Sequence, residues 1–205
     1  MDPPRVFLLS PARCDGRRAE LLLSARASFP LAAQMREGNT APIGEVFSFL
    51  SGLYFRGKLT YAHAFSRPPR RAAPILVITT DRGLVTPEER VGREDLVGFS
   101  RVDIAAGDDR YLGPLRRDID KLADTLEHSA SVVLLGSIAT SKYVDPLIDA
   151  FGERLLFPID FVGRGDMSRG GLLLRSAREG RELEYVPVAG AVRRGARPPK
   201  LAPLR

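Results

Sequence analysis

The amino-acid sequence predicts an α/β fold, with a mixed, largely parallel sheet flanked by helices. Short apolar runs of strand length alternate with longer segments of helical periodicity, which is the pattern of βαβ units. The composition is that of an ordinary globular protein, with 44% hydrophobic and 27% charged residues among 205. These observations predict a single compact domain over residues 1–192, which includes a C-terminal hairpin, and a basic, proline-rich tail over residues 193–205.

The N-terminal segment predicts one strand and one helix before a turn. Arg5–Leu9 (RVFLL) is almost wholly apolar, which favours a short buried strand. A helix is expected to begin near Gly16 and to run toward Ser28, with Pro30 ending it. Gly38–Pro42 combines glycine, asparagine and proline, which predicts a turn.

The next segments predict two aromatic helices and a second central strand. Ile43–Leu53 and Lys58–Phe65 are helical pieces that carry phenylalanine and tyrosine. Arg67–Pro74 contains three prolines and is expected to be an irregular surface loop. Ile75–Thr79 gives the clearest central-strand signal of the first half, and Val102–Ala105 predicts a short edge strand.

The second half continues the alternation of helix and strand. Pro114–Glu127 has apolar residues near helical spacing and predicts an amphipathic helix. Val132–Leu135 predicts a buried strand, followed by a helix that includes Tyr143 and Phe151. Arg154–Phe157 predicts a fourth strand.

A charged, glycine-rich segment follows the fourth strand. Gly163–Gly171 holds four glycines, two arginines, an aspartate and a serine, and is expected to be a loop. Its glycines would let backbone N–H groups converge on an anion; an ordinary hairpin connection is the alternative. Leu172–Arg175 and Leu183–Val186 flank a turn-like REGR segment and predict a hairpin.

The segments that follow the strands predict one ligand-binding crevice. Ligands of parallel sheets bind beyond the carboxyl ends of the strands, where these segments would meet. Asp81 and Asp166 are the candidate catalytic carboxylates, because either can act as a general base or orient water. A tight strand-to-helix turn is the alternative interpretation of Gly136 and Ser137. Candidate nucleotide- or phosphate-binding residues are Ser10, Arg13, Arg82, Gly136, Ser137, Thr140, Lys142, Arg164 and Arg169.

The cysteine and the histidines predict neither a metal site nor a disulfide. Cys14 is the single cysteine, and a buried, inert thiol is the expected role. His63 and His128 are far apart in the sequence and match no metal-ligand spacing. No metal and no cofactor are therefore expected.

The positive charge is concentrated at the C-terminal end. Residues 1–163 contain 21 basic and 21 acidic residues, whereas residues 164–205 contain 10 and 4, which accounts for the whole net charge of +6. Arginine makes up 27 of the 31 basic residues, and it binds phosphate in bidentate geometry. A codon bias toward arginine is an alternative explanation of that ratio, but not of the uneven placement. The candidate nucleic-acid contacts of the tail are Arg193, Arg194, Arg197, Lys200 and Arg205.

Four segments resemble the YaaA-like peroxide-stress proteins. Leu8–Arg13 (LLSPAR) resembles the LLSPAK opening of that family. Ala41–Phe47 is loosely similar to its ai..Y.GdVy segment, and Thr79–Pro87 stands where the family has LSGLYGLLRP. Leu135–Tyr143 is similar to its NLAS.EY motif.

The resemblance covers residues 6–143 in the same segment order. The chain departs from it at Lys142, where the family has glutamate, and in the basic tail, which has no counterpart. An uncharacterised group with a sakyGLl.p turn is equally similar. The resemblance implies a compact α/β domain with a positive cleft, in a family linked to DNA binding and oxidative stress. It implies no mechanism.

These observations predict an intracellular nucleic-acid-binding protein, with DNA as the expected partner and a crevice that receives a nucleotide or base. A small-nucleotide or nucleoside hydrolase with an aspartate base is the second hypothesis. A non-catalytic subunit that docks through its basic tail is the third. No apolar run reaches the roughly 18 residues of a membrane span, and the N-terminus lacks a signal-peptide pattern, so a cytoplasmic location is expected. The sequence leaves the oligomeric state and the question of catalysis open.

Overall fold

The computed structural model describes residues 3–36, 38–104, 108–139, 141–192, 195–199 and 201. The strands are β1 Arg5–Leu9, β2 Ala41–Pro42, β3 Ile75–Ile78, β4 Leu84–Val85, β5 Arg90–Val91, β6 Ser131–Leu135, β7 Leu155–Pro158 and β8 Tyr185–Pro187. The helices are α1 Arg17–Leu23, α2 Pro30–Arg36, α3 Ile43–Ser51, α4 Leu53–Phe65, α5 Arg93–Ser100, α6 Asp109–Thr125, α7 Ser141–Phe151 and α8 Asp166–Glu179.

The predicted α/β fold class is confirmed by a six-stranded sheet in the order β4-β3-β1-β6-β7-β8. Its four inner strands are parallel, while β4 and β8 run antiparallel at the two edges. Strands β2 and β5 form a separate antiparallel pair. Strands β1, β3, β6 and β7 lie where the apolar runs predicted them, within one or two residues at their ends.

The centre of the sheet is a topological switch point. The chain passes from β1 to β3 on one side, then crosses to β6 on the other side of β1. Open α/β sheets bind ligands beyond the carboxyl ends of their strands at such a point. The register pairs Leu9 with Leu135, so Ser10 and Gly136 are the first residues beyond this edge.

Two smaller predictions are corrected by the structure, and a third is confirmed. Pro30 begins α2, because a proline at the first helical position removes an N–H that has no partner in the helix. Residues 102–104 form no strand, and Ala105 lies outside the described residues. Arg67–Pro74 is irregular as predicted, apart from a single bridge between Arg5 and Arg67.

The predicted loop over Gly163–Gly171 and the hairpin that follows it are wrong. Helix α8 begins at Asp166 and includes Leu172–Arg175, and β8 pairs with β7 instead. Gly170 serves packing within this helix, since a Cβ on it would lie 2.7 Å from the Leu53 carbonyl oxygen. The close crossing of α4 and α8 therefore requires glycine, although glycine has a poor helix propensity.

The described part of the tail packs on the domain. Gly163 has a φ of 73°, and a Cβ there would overlap the carbonyl group of Ala196. Arg164 Nη1 donates to the Pro199 carbonyl oxygen at 3.4 Å. The tail residues Arg193, Arg194, Lys200 and Arg205 lie outside the described residues.

Among the described helices, none is long and apolar enough to cross a lipid bilayer.

Candidate functional site

The carboxyl ends of β1 and β6 open into a cavity of about 420 Å³, the strand-end crevice. The segments after these two strands form two of its walls, and α3, α4 and the first turn of α8 complete it. Tyr54 and Tyr143 contribute aromatic rings to the lining. The sequence-predicted residues that the crevice brings together are Ser10, Arg13, Ser137, Lys142 and Asp166.

Ser10 meets a buried lysine at this edge of the sheet. Lys58 Nζ donates a hydrogen bond to the Ser10 carbonyl oxygen at 2.6 Å and lies 2.9 Å from Ser10 Oγ. The lysine is carried by α4, behind the crevice wall, and is 1% exposed. Ser10 is 7% exposed and lines the crevice itself.

Lys58 lies in an environment that disfavours its charged form. Its nitrogen lies 4.6 Å from the Tyr54 ring centroid and 4.7 Å from that of Phe55, and these cation–π contacts favour the charged form without outweighing the loss of hydration. Burial lowers the pKa of Lys58 to about 7, with Asp166 opposing the shift and Arg169 adding to it. An ammonium group has three N–H donors, whereas two oxygen acceptors face this one. Lys58 donates to Ser10 Oγ in the structure, and the lone pair of its neutral form would be available to the Ser10 hydroxyl.

Tyr143 completes a polar cluster around Ser10. Its hydroxyl donates to the Ser137 carbonyl oxygen at 2.9 Å. Burial raises the pKa of Tyr143, and the side chain of Ser10 opposes that shift. A Cβ on Gly136 would lie 2.9 Å from both Ser10 Cβ and the Tyr143 hydroxyl. Glycine is required at position 136 because the side chains of Ser10 and Tyr143 leave no room for a larger residue.

Helix α8 supplies the charged wall of the crevice. Asp166 lies in its first turn with a side chain that is 69% exposed, and Arg169 Nη1 lies 3.5 Å from its carboxylate. Arg169 also donates to the Phe161 carbonyl oxygen and stacks over the Phe161 ring at 5.4 Å. The Tyr54 hydroxyl is buried beside this guanidinium group without a hydrogen bond of normal geometry. Asp166 is thus the exposed carboxylate of the crevice and Arg169 a buried, structural cation.

A second cavity of about 490 Å³ adjoins the crevice and shares the segment after β1. Arg13 forms two hydrogen bonds of 3.0 Å with Asp15, so this exposed pair neutralises itself. Burial raises the pKa of Cys14 to about 12, and Asp15 and Asp81 add to the shift, so the thiol stays protonated. Across both cavities the cationic lining residues are Arg13, Arg101 and Lys142, and the carboxylates are Asp15, Asp103 and Asp166.

Two candidate residues after β3 lie away from the crevice lining. Arg82 forms an ion pair with Asp95 on α5 and stacks over the Phe99 ring. Asp81 lies 3.7 Å from Arg82, and burial raises its pKa while Arg82 opposes the shift. The segment after β3 therefore packs against α5, whereas the segments after β1 and β6 converge. Thr140, another candidate, lies outside the described residues.

A third cavity, the arginine pocket, lies on the other side of the first turn of α8. Its volume is about 420 Å³, and Arg164, Arg175 and Arg197 line it together with Ser168 and no carboxylate from the described residues. Arg164 is fixed by hydrogen bonds to the Asp160 carbonyl oxygen at 2.9 Å and to Ser168 Oγ at 3.3 Å. The candidate Arg164 therefore lies in a cavity distinct from the strand-end crevice.

Sequence reasoning missed Lys58, and comparison with known proteins supplies no precedent. In the sequence, Lys58 is one of the four lysines of the chain and lies in a predicted helix, with no motif to mark it. The described residues contain no cluster of three or more histidine, cysteine or acidic side chains that would hold a metal ion.

Comparisons with protein-family models, with curated proteins and with solved structures found no match. The YaaA-like resemblance therefore stays a hypothesis, and function is argued from the geometry alone.

Proposed function

We propose that this protein binds nucleic acid, DNA in the first instance, through the arginine pocket and the basic tail. The observation that carries the proposal is the charge of that pocket: three arginines and no described carboxylate line it. Phosphate groups are neutralised by such clusters, and arginine adds bidentate hydrogen bonds. The strand-end crevice and its adjoining cavity, by contrast, together have a balanced lining and are less suited to a polyanion.

The position of the pocket supports phosphate binding as well. Gly165 is the N-cap of α8 and provides no side-chain cap, so the backbone N–H groups of the first turn lack a side-chain acceptor at this end. Ser168 adds a hydroxyl in the same turn. The positive end of the helix dipole and the guanidinium groups then act on the same anion.

The pocket and the crevice share the first turn of α8. Asp166 lines the crevice, and the neighbouring Gly165 and Met167 line the pocket. A backbone phosphate held in the pocket therefore brings the adjoining nucleotide toward the crevice. This arrangement combines the phosphate contacts of the tail with a crevice for a base.

The test is the salt dependence of DNA binding, measured by fluorescence anisotropy with labelled single-stranded and duplex oligonucleotides. Each lost phosphate contact should reduce the slope of log Kd against log salt by about 1. Arg197→Ala and Arg164→Ala are expected to show that loss. The matched control is Arg116→Ala, which replaces an exposed arginine on α6 outside the pocket.

Two results would contradict nucleic-acid binding at this pocket. One is the absence of saturable binding to either oligonucleotide at 50 mM salt, a condition in which electrostatic binding is strong. The other is an equal loss of affinity in Arg197→Ala and in the control. A mononucleotide that raises the melting temperature while DNA has no effect would favour the nucleotide-hydrolase hypothesis. Tail-dependent capture of an acidic protein without any effect of DNA would favour the interaction-subunit hypothesis.

A further inference from the structure

Ser10 in the strand-end crevice and Lys58 behind its wall form a pair of a nucleophile and a general base that the proposed phosphate contacts do not use. Ser10 Oγ lies 2.9 Å from Lys58 Nζ, which is within the range of a nucleophile and its general base. The serine lines an open cavity and the lysine lies behind it, shielded from water. A substrate in the crevice would meet the hydroxyl, while the amine stays dry.

We propose that Ser10 is a nucleophile and Lys58 its general base, in an acyl-transfer site that hydrolyses an ester or an amide. Ser–Lys pairs are one of the arrangements that activate a serine hydroxyl for attack on a carbonyl group. The proposal does not depend on nucleic-acid binding, whose phosphate contacts lie in the arginine pocket on the other side of α8.

The reaction balances with water as the co-substrate. The proton of the Ser10 hydroxyl passes to Lys58 Nζ as Oγ forms a bond to the carbonyl carbon. The tetrahedral intermediate collapses with cleavage of the bond to the leaving group, which takes the proton from the Lys58 ammonium and departs. Water then attacks the seryl ester and gives its proton to Lys58. Cleavage of the bond between Oγ and the acyl carbon returns that proton to Ser10.

The charge around the crevice favours a carbonyl over a phosphoryl substrate. Phosphoryl transfer depends on an excess of positive charge around the transferred group. Three cations and three carboxylates line the crevice and its adjoining cavity, which leaves no such excess. The arginine pocket carries that excess but contains neither Ser10 nor Lys58.

A purely structural role for Lys58 would require only one of its two hydrogen bonds to Ser10. The hydrogen bond to the Ser10 carbonyl oxygen is enough to satisfy the carboxyl end of β1. Methionine in this buried site would match the volume of lysine without the cost of placing an amine there. The additional contact with the hydroxyl of a crevice-lining serine is what a catalytic pair requires.

Two tyrosines and an ion pair are the other charged or titratable groups that face Ser10 and Lys58 among the described residues, and neither tyrosine titrates near neutral pH. Tyr54 on α4 and Tyr143 on α7 have pKa values that burial raises. Asp166 and Arg169 on α8 are an ion pair at 3.5 Å. A change in reactivity near neutral pH therefore reports on Lys58.

The experiment uses the full-length protein and a small fluorophosphonate, which forms a stable bond to an activated serine. Intact mass and peptide mapping are expected to find one adduct, on Ser10, and Ser10→Ala should have none. Lys58→Met should slow labelling by about 10²-fold or more, as expected when a general base is lost. The matched controls are Ser176→Ala, a buried serine in α8, and Lys121→Met, an exposed lysine in α6, and both should label normally.

The wild-type protein provides a second measurement that does not depend on any variant folding. With the pKa of Lys58 at about 7, labelling at pH 8 should be about tenfold faster than at pH 6. Absence of an adduct on Ser10, with both a fluorophosphonate and a small activated ester, would overturn the proposal. The proposal would also be overturned if folded Lys58→Met were labelled at the same rate as the wild-type protein. The same holds if the labelling rate of the wild-type protein did not change between pH 6 and pH 8.

Discussion

Replacing Lys58 with methionine should remove a pH dependence from the stability of this protein. Lys58 is 1% exposed, and burial lowers its pKa from 10.5 to about 7. Below pH 7 the lysine is protonated in the folded and the unfolded chain alike. Between pH 7 and 10.5 the unfolded chain holds a proton that the folded chain has lost. The free energy of unfolding therefore rises with pH across this window, by at most about 1.4 kcal/mol per pH unit.

The assay is urea denaturation of the wild-type and Lys58→Met proteins at pH 7, 8 and 9. Because the lysine is half titrated at pH 7, the wild-type protein should gain about 2 kcal/mol relative to the variant between pH 7 and pH 9. The comparison uses the difference between the two proteins. Cys14 and the buried tyrosines have raised pKa values, which lower stability at alkaline pH in both. Lys121→Met, on the exposed face of α6, should follow the wild-type protein.

A parallel change in the stabilities of the wild-type and Lys58→Met proteins from pH 7 to pH 9 would contradict a lowered pKa of Lys58. Lys58 would then keep its charge in the folded state. The neutral amine required by the proposed acyl-transfer site would be absent at physiological pH. Parallel curves would leave nucleic-acid binding at the arginine pocket unaffected.

Two further predictions concern the packing that holds the site. Gly170→Ala places a Cβ 2.7 Å from the Leu53 carbonyl oxygen, so the free energy of unfolding in urea should fall by about 1–3 kcal/mol. Gly171→Ala, whose Cβ would meet a neighbour only at 3.8 Å, should be neutral or stabilising by up to about 1 kcal/mol, and equal losses would contradict the close helix crossing. With its pKa raised to about 12, Cys14 should react with an aromatic disulfide reagent at pH 8 about 10²-fold more slowly in the folded than in the denatured protein. Equal rates would show that the thiol is accessible and ionised.

The strand positions could be predicted because burial on both faces of a parallel sheet requires local runs of apolar residues. Arg5–Leu9 and Val132–Leu135 are such runs, and both are central strands. The position of Ser10, Arg13, Ser137 and Lys142 at one edge of the sheet followed from the same rule. The rule did not extend to Arg82, whose ion pair with Asp95 on α5 is a contact that no local pattern encodes.

The glycine-rich segment shows why local patterns can mislead. Four glycines in nine residues favour a loop by propensity, yet Gly170 lies within α8. Glycine is required at this position because the backbone of α4 passes too close for any side chain. That requirement comes from residues more than a hundred positions earlier in the chain. Tertiary packing overrides intrinsic propensity in such cases.

The α/β class, the central strands and the edge of the sheet where polar residues gather can be predicted from the amino-acid sequence, because each depends on residues that are adjacent in the chain. The partnership of Ser10 with Lys58 joins residues 48 positions apart. It depends on how α4 packs beneath the end of β1, and the low pKa of Lys58 depends on the burial that this packing creates. Both features arise from the packing of the folded chain, since the burial of a side chain and its distance from a hydroxyl group are properties of the whole fold.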